Sequence, residues 1–275
     1  MATNKKAASA KKKTSVKTTS AASRTSTTTV KTVSASTKKQ SLGQKLESAL
    51  KSPAFWRALA AEFIGTFLLA ATIIAGQGQP IFVLFALVGI VLIIGGVSGA
   101  HVNPAITVGA WVTRRIDAVR AIGYILAQFF GAAVAFFALN AFLGAAGSAD
   151  SSALSGAPSL FAASDISGLE GKEMFIVFSE ILGTAILAFA VAHATRIKDS
   201  LTAAWTVGTG ILIALMVAMT AAGYIAASAI INPAVALSLQ AFDVSHWGYI
   251  IYMLAPVIGG VLGFIIRDLV HGKEK

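Results

Sequence analysis

The sequence predicts an all-α membrane protein with six transmembrane helices and two re-entrant half-helices, arranged as an inverted repeat. Three observations support this fold class. Of the 275 residues, 56% are hydrophobic and 12% are charged, whereas a soluble domain carries about 25% charged residues. Six apolar runs are long enough to cross a bilayer, and the pattern of the first half of the chain recurs in the second half.

The positive charge of the chain belongs to an N-terminal extension. The formal net charge is +10, and residues 1–50 contain eleven Lys or Arg and a single acidic residue, Glu47, so residues 51–275 are neutral overall. Residues 1–50 consist mainly of Lys, Ser, Thr and Ala, which bury too little apolar surface to offset the entropy of ordering. We therefore predict a disordered basic tail over residues 1–50 and a membrane domain over residues 51–275.

Three interpretations of the tail remain open. We expect its lysines to contact anionic lipid headgroups, since each basic residue near a membrane surface contributes about 1 kcal/mol. Nonspecific contact with nucleic-acid phosphates is an alternative, and the lack of aromatic residues in the tail argues against specific nucleic-acid binding. The third interpretation is a transit peptide, although the tail holds only one arginine, Arg24.

Six apolar runs are long enough to cross the hydrocarbon core as helices, which takes about 20 residues. They lie near residues 56–75, 81–98, 121–143, 174–194, 203–223 and 247–266. Two shorter helical stretches, about 103–112 and 232–241, are too short to cross. We predict that they are re-entrant half-helices, which a membrane tolerates only where they are buried in protein or line a water-filled cavity.

The basic residues near the span ends predict the orientation. If the tail is cytoplasmic, all but one of them fall on its side of the membrane, and Lys172 is the exception. The connection 144–172, which carries three acidic residues, is then external. We therefore expect a multi-pass protein of the plasma (inner) membrane with cytoplasmic N- and C-termini. The basic residues on the cytoplasmic side are Lys51, Arg57, Arg114, Arg115, Arg120, Arg196, Lys198, Arg267, Lys273 and Lys275.

The two halves of the membrane domain, about 54–143 and 173–268, share a sequence pattern. Each contains a Glu-x-x-Gly-Thr segment in its first span and one Asn-Pro-Ala in its short helical stretch. Since a unit of three spans is odd, the second copy is inverted, and inverted repeats place a substrate path at their shared interface. The pairs Gly95-Gly96 and Gly259-Gly260 are expected to allow close helix packing.

The two Asn-Pro-Ala motifs, Asn103-Pro104-Ala105 and Asn232-Pro233-Ala234, are suited to start a helix inside a membrane. Asparagine is a preferred N-cap, proline fits the first helical position and alanine is the best helix former. In an inverted repeat the two half-helix N-termini meet near the midplane, where their partial positive charges repel cations. The amides of Asn103 and Asn232 are then placed to donate hydrogen bonds to a passing neutral molecule.

The segments Ser98–Ala105 and Ile231–Ala234, together with the paired Glu-x-x-Gly-Thr segments, resemble the major intrinsic protein family over about residues 54–270. This family comprises the aquaporins and glycerol facilitators. The resemblance implies a homotetramer in which every subunit has its own passive pore for water or for small neutral solutes such as glycerol, urea or ammonia. The chain has no cysteine and no recognisable His-Glu metal or Ser-His motif, so neither an enzyme nor a cofactor is expected.

Glu62 and Glu180 lie inside predicted spans, where a carboxylate indicates function by default. The resemblance implies that they accept hydrogen bonds from backbone amides of the re-entrant loops. A proton relay is the alternative, and it would make the protein a coupled secondary transporter. His101, two residues before Asn103, is a candidate for pore lining or for simple packing.

The sequence departs from the family at the selectivity constriction. The family usually has an arginine after the second Asn-Pro-Ala, and this chain has Val235. An ungapped alignment from each motif assigns the other three constriction positions to Val83, Thr220 and Ala229, with Phe82 or Phe85 as alternatives to Val83. We expect a wider, apolar and uncharged constriction that passes small neutral solutes and excludes protons less well, or a closed pore in a non-conducting structural protein.

Overall fold

The computed structural model describes residues 41–146, 160–169, 171–242 and 246–272, and all regular elements among them are helical. Six helical segments have the length and composition to cross a membrane, which confirms the predicted fold class. Helices α2 to α5 are Pro53–Ala75, Pro80–Ser98, Pro104–Val112 and Ala118–Ala146. Helices α6 to α8 are Glu173–Ala194, Ser200–Gly223 and Pro233–Ser238, and α9 and α10 are His246–Tyr249 and Ala255–His271.

A π-helical turn, Ile250–Leu254, joins α9 to α10 within the sixth span. It ends one residue before Ala255-Pro256. Proline has no N–H and its ring clashes with the preceding turn of an α-helix, so a wider turn at this point lets the helix continue through Pro256. The predicted half-helices are α4 and α8. Helix α8 ends at Ser238 and is therefore shorter than the predicted stretch 232–241.

The N-terminal segment differs from the expectation of a disordered tail up to residue 50. Residues 1–40 lie outside the described residues, but Leu42–Leu50 form a further helix, α1. Ser41 caps it, because its Oγ accepts from Gln44 N (3.3 Å) and its own N–H donates to Gln44 Oε1 (2.9 Å). Composition and charge assigned this segment to the tail, whereas the local capping box and the leucine spacing make it helical.

The half-helices link the two halves of the repeat. Within each half, equivalent helices pack together: α2 against α3 and α5, and α6 against α7 and α10. Across the halves, α4 packs on α10 and α8 packs on α5. Each half-helix therefore rests on the last span of the other half, and this exchange brings the two Asn-Pro-Ala motifs together.

One of the two predicted glycine pairs provides close helix packing. A Cβ on Gly260 would clash with the carbonyl oxygen of Ala105, and one on Gly259 would clash with that of Ile181. The absence of a side chain thus lets α10 approach both α4 and α6. The other pair does not have this role, since Gly96 has no atom within 4 Å of the position of a Cβ and Gly95 has only ordinary contact.

We predict that Gly260→Ala lowers the free energy of unfolding by about 1–3 kcal/mol, because the added methyl group forces α10 away from α4. Gly96→Ala is the matched control and is expected to change that free energy by at most about 0.5 kcal/mol. Reversible denaturation of the purified protein in mixed detergent micelles measures both values. Equal effects of the two substitutions would contradict the packing role of Gly260.

Candidate functional site

Two reciprocal hydrogen bonds join the re-entrant loops at the Asn-Pro-Ala motifs. Asn103 Nδ2 donates to the carbonyl oxygen of Ile231 (2.9 Å), and Asn232 Nδ2 donates to that of Val102 (2.9 Å). Each asparagine also caps its own half-helix. Asn103 Oδ1 accepts from Ala105 N (2.8 Å), and Asn232 Oδ1 accepts from Ala234 N. Both side-chain amides are therefore fixed in orientation, with the oxygen toward the helix and the nitrogen toward the opposite loop.

The residue before each asparagine has a left-handed backbone. Val102 has φ 42° and Ile231 has φ 54°, a region that β-branched residues rarely adopt and that costs of order 1–3 kcal/mol. This conformation turns the N–H of each residue toward a glutamate while its carbonyl faces the other loop. Hydrogen bonds at the N–H and at the carbonyl oxygen of each residue thus stabilise this strained conformation.

Glu62 holds the first loop and is fully buried. Its two oxygens accept from His101 N (2.9 Å) and Val102 N (2.7 Å). Gln128 on α5 adds a third bond from its Nε2 to Glu62 Oε2 (2.7 Å) and also donates to Thr107 on α4 (2.9 Å). No local sequence pattern indicates that Gln128 connects α2, α4 and α5, because its partners Glu62 and Thr107 are 66 and 21 positions away.

Glu180 holds the second loop with fewer partners. It accepts from Ile230 N (2.5 Å) and Ile231 N (2.8 Å), and no third donor to it is found in the described part of the chain. The reason is visible in the repeat, because Pro256 occupies the position that corresponds to Gln128 and has no amide to offer. The two halves are therefore alike in backbone and unequal in polar support.

His101 lies beside a cavity on the side of the α4–α5 connection. The imidazole Nδ1 is 3.1 Å from Thr107 Oγ1, and the ring meets Tyr124 edge-on at 5.4 Å between ring centroids. A cavity of about 1090 Å³ extends from His101 to Arg114 and Arg115. His101 is thus both packed against neighbours and accessible from this cavity, so the two interpretations of its role are not exclusive.

An ion pair borders the same cavity. Arg115 donates to Asp268 Oδ1 (2.6 Å) and lies over the ring of Phe264 at 4.9 Å. Arg267, which is almost fully buried, donates to the same oxygen (3.2 Å). Both arginines count toward the predicted orientation, but no local pattern in the sequence links Arg115 to Asp268, which is 153 positions away. Among the described residues, no group of three or more His, Cys, Asp or Glu is placed to hold a metal ion.

Three of the four residues assigned to the constriction are buried in the bundle. Val83, Ala229 and Val235 belong to the main apolar core of the bundle, which both halves of the repeat form. The alternatives to Val83, Phe82 and Phe85, are each more than half exposed on the outer face of α3.

Thr220 does not join these three residues. It is exposed on α7, in the same stripe as Ile213, Met216 and Val217, which is the side that faces away from the bundle. Its hydroxyl donates to the carbonyl oxygen of Met216 in its own helix (2.7 Å). The assignment of Thr220 counts residues back through the irregular segment 224–231, which follows α7. Counting residues through such a segment does not predict which face of α7 points into the bundle. Met219, the preceding residue, packs against the apolar cluster instead.

Comparisons with known proteins agree with this geometry. Residues 49–267 match the sequence profile of the family described as Major intrinsic protein. The chain is 32% identical over 230 residues to the glycerol uptake facilitator protein-like 6 of Lactiplantibacillus plantarum, covering 78% of this chain and 98% of that protein. It is 27% identical over 248 residues to aquaporin FA-CHIP of Pelophylax lessonae, covering 82% and 86% of the two chains.

A solved structure shares the fold. The X-ray structure of the aquaglyceroporin from Plasmodium falciparum aligns with a TM-score of 0.61 over 78% of this chain and 96% of that chain, at 21% sequence identity. At this identity the likeness supports the fold and does not identify the solute.

We predict that Glu180→Gln lowers the free energy of unfolding by about 1–3 kcal/mol, because one loop amide loses its acceptor and faces an N–H donor. Glu173→Gln is the matched control on the same helix, where the side chain is partly exposed and the expected change is within about 0.5 kcal/mol. Reversible denaturation in detergent micelles measures both. An unchanged stability of Glu180→Gln would show that the carboxylate is not needed to hold the loop.

Proposed function

Because the chain belongs to the major intrinsic protein family, we propose that it is a passive transmembrane channel for water and small neutral solutes such as glycerol, urea or ammonia. The family consists of channels, so the chain is not an enzyme. The observation that carries the proposal is the reciprocal pair of bonds between Asn103, Asn232 and the opposite loops. It fixes two half-helix N-termini against each other at the centre of the bundle.

The asparagine amides provide a polar contact for a solute at this point. Each Nδ2 has two hydrogens, and one of them is used by the opposite loop. Because each Oδ1 is occupied as a helix cap, Asn103 and Asn232 offer only donors to a molecule between them. The half-helix N-termini add partial positive charge. A neutral oxygen-bearing solute is therefore favoured at the centre, and a cation is repelled.

The constriction determines which solutes enter. Val83, Ala229 and Val235 are apolar and uncharged, and no guanidinium occupies position 235. We assign the constriction to these three residues and leave Thr220 out of it. A ring of this kind removes water hydrogen bonds without replacing them and also lacks one barrier to protons. Glycerol also has C–H groups that can pack against an apolar ring, whereas water has none.

The glutamates favour a passive channel over proton coupling. Glu62 and Glu180 are fully buried and both oxygens of each are occupied by loop amides. A coupled secondary transporter needs a carboxylate that gains and loses a proton in each cycle, and such a cycle would release a strained loop each time. Solute flux driven by a pH gradient in proteoliposomes would overturn this choice.

The proposal extends to the oligomeric state of the protein and to its orientation in the membrane. The six spans make the chain a multi-pass membrane protein. We expect a homotetramer with one pore per subunit in the plasma (inner) membrane, with both termini cytoplasmic, as the distribution of basic residues indicates. The basic residues of the first 50 then lie on the side where anionic headgroups attract them.

We predict that Val235→Arg reduces glycerol and urea flux by about tenfold, which corresponds to about 1.4 kcal/mol in the barrier. A guanidinium narrows the opening while it still bonds to water, so water flux is expected to persist. Stopped-flow light scattering of proteoliposomes with a panel of solutes measures these rates. A pH-sensitive dye inside the vesicles is expected to report a smaller proton leak in Val235→Arg.

Val235→Leu is the matched control, because it adds volume without charge. It is expected to reduce glycerol flux and to leave the proton leak unchanged. Water flux with no glycerol or urea flux in the unmodified protein, unchanged in Val235→Arg, would contradict the proposed selectivity. Vesicles that show no osmotic response above that of empty vesicles would contradict the channel itself.

A further inference from the structure

Helix α1 presents an apolar stripe that nothing in the described chain covers. Leu42, Leu46 and Leu50 are spaced at i, i+4 and i+8, and they are 64%, 46% and 48% exposed. At about 100° per residue they lie within an arc of about 80° on the helix. No residue of α1 is buried, and the helix packs against the ends of α2 and α5.

Helix α1 adjoins the start of the first membrane span. Two residues separate it from α2, the first span, and the indole Nε1 of Trp56 on α2 donates to the carbonyl oxygen of Leu50 (2.9 Å). Trp56 is 54% exposed, and further exposed apolar residues, Ile64 and Leu68, continue along α2. Those residues face lipid in a membrane-spanning helix, and an exposed tryptophan is typical of the membrane–water interface. The leucine stripe is therefore continuous with a lipid-facing surface.

A polar cavity lies on another side of the same helix. It has a volume of about 400 Å³, and its lining includes Lys45, Ser48, Ser52, Asp117 and Arg120. Asp117 is engaged with the backbone N–H of Arg120 (3.0 Å). No ion pair joins Lys45 or Arg120 to a carboxylate among the described residues. Ser52 makes no capping hydrogen bond with its hydroxyl. The cavity thus combines two cations and one carboxylate, which accepts from a backbone N–H, with a hydroxyl that has no capping role.

From these observations we propose that α1 is an interfacial helix whose leucines enter the inner leaflet, and that the cavity beside it binds the phosphate of an anionic phospholipid. Lys45 and Arg120 face the phosphate oxygens and Ser52 donates to one of them. An amphipathic helix with leucines on one side and lysines at its border binds anionic membranes in this way. We propose a lipid as the occupant because its acyl chains can contact the leucine stripe, whereas free phosphate has no apolar part. The three residues proposed to hold the phosphate, Lys45, Ser52 and Arg120, all line this cavity.

The orientation of α1 is tested with spin labels, since the chain has no cysteine of its own. Leu46→Cys and Glu47→Cys place a nitroxide on the stripe and on the polar side of the full-length protein. In vesicles of phosphatidylcholine and phosphatidylglycerol, the label at position 46 is expected to collide with oxygen and to be shielded from a water-soluble nickel complex. The label at position 47 is expected to show the reverse.

Two outcomes of this experiment overturn the interfacial helix. Equal access of the nickel complex to both labels would mean that α1 stands in water. Spin–spin broadening at position 46 that disappears on dilution with unlabelled protein would mean that a second copy of the chain covers the leucines.

The phosphate site is tested with charge-removing variants. Arg120→Gln and Lys45→Gln are each expected to weaken phosphatidylglycerol binding to the detergent-solubilised full-length protein by about fivefold, as native mass spectrometry of the bound lipid measures. Lys51→Gln is the matched control, because Lys51 pairs with Glu47 (2.6 Å) and does not line the cavity. Unchanged osmotic flux of all variants in phosphatidylcholine vesicles shows that they fold.

The comparisons between variants and ligands decide the result. Equal weakening by Lys51→Gln and Lys45→Gln would mean diffuse attraction without a site, and so would unchanged binding in Arg120→Gln. Competition by millimolar inorganic phosphate as effective as that by phosphatidylglycerol would identify a free-phosphate site and overturn the lipid as occupant. A selective loss in Lys45→Gln and Arg120→Gln, insensitive to inorganic phosphate, supports the proposal.

Discussion

Irregular backbone inside a bilayer has no water to bond with, and every unpaired amide or carbonyl there costs several kcal/mol. The two re-entrant loops of this protein meet that constraint with a closed set of contacts. Each loop turns its amides to a buried glutamate and its carbonyl to the asparagine of the other loop. The half-helices, the exchange of packing between the repeat halves and the central polar contact all depend on these bonds.

The same contacts explain why the halves of the repeat are not equivalent. Gln128 connects Glu62 to α5 and α4, whereas Glu180 has no side-chain donor among the residues that the structure describes, because Pro256 replaces the glutamine. Proline also brings the π-helical turn into the sixth span. The second loop is thus the less supported of the two, and it contains Ala229 and leads into Val235 of α8, two residues of the proposed constriction.

Most of the fold and the centre of the site follow from local sequence, and the exceptions have physical causes. The six spans, the half-helices and the paired motifs depend on hydropathy and on helix-start chemistry, which are properties of short segments. Thr220 was assigned by counting residues through an irregular loop, where helix rotation is not a function of residue number. The helical part of the predicted tail was missed because average composition hides a nine-residue amphipathic helix.

By itself, the sequence determined the fold class, the inverted repeat and the pairing of the Asn-Pro-Ala motifs, since each is written in hydropathy, residue order and self-similarity. Only the tertiary structure decided which amide meets which carboxylate, that Val83, Ala229 and Val235 are buried while Thr220 is exposed, and that Arg115 pairs with Asp268. These contacts join residues far apart in the chain, and their geometry depends on helix rotation and approach. Neither quantity is encoded in any single segment.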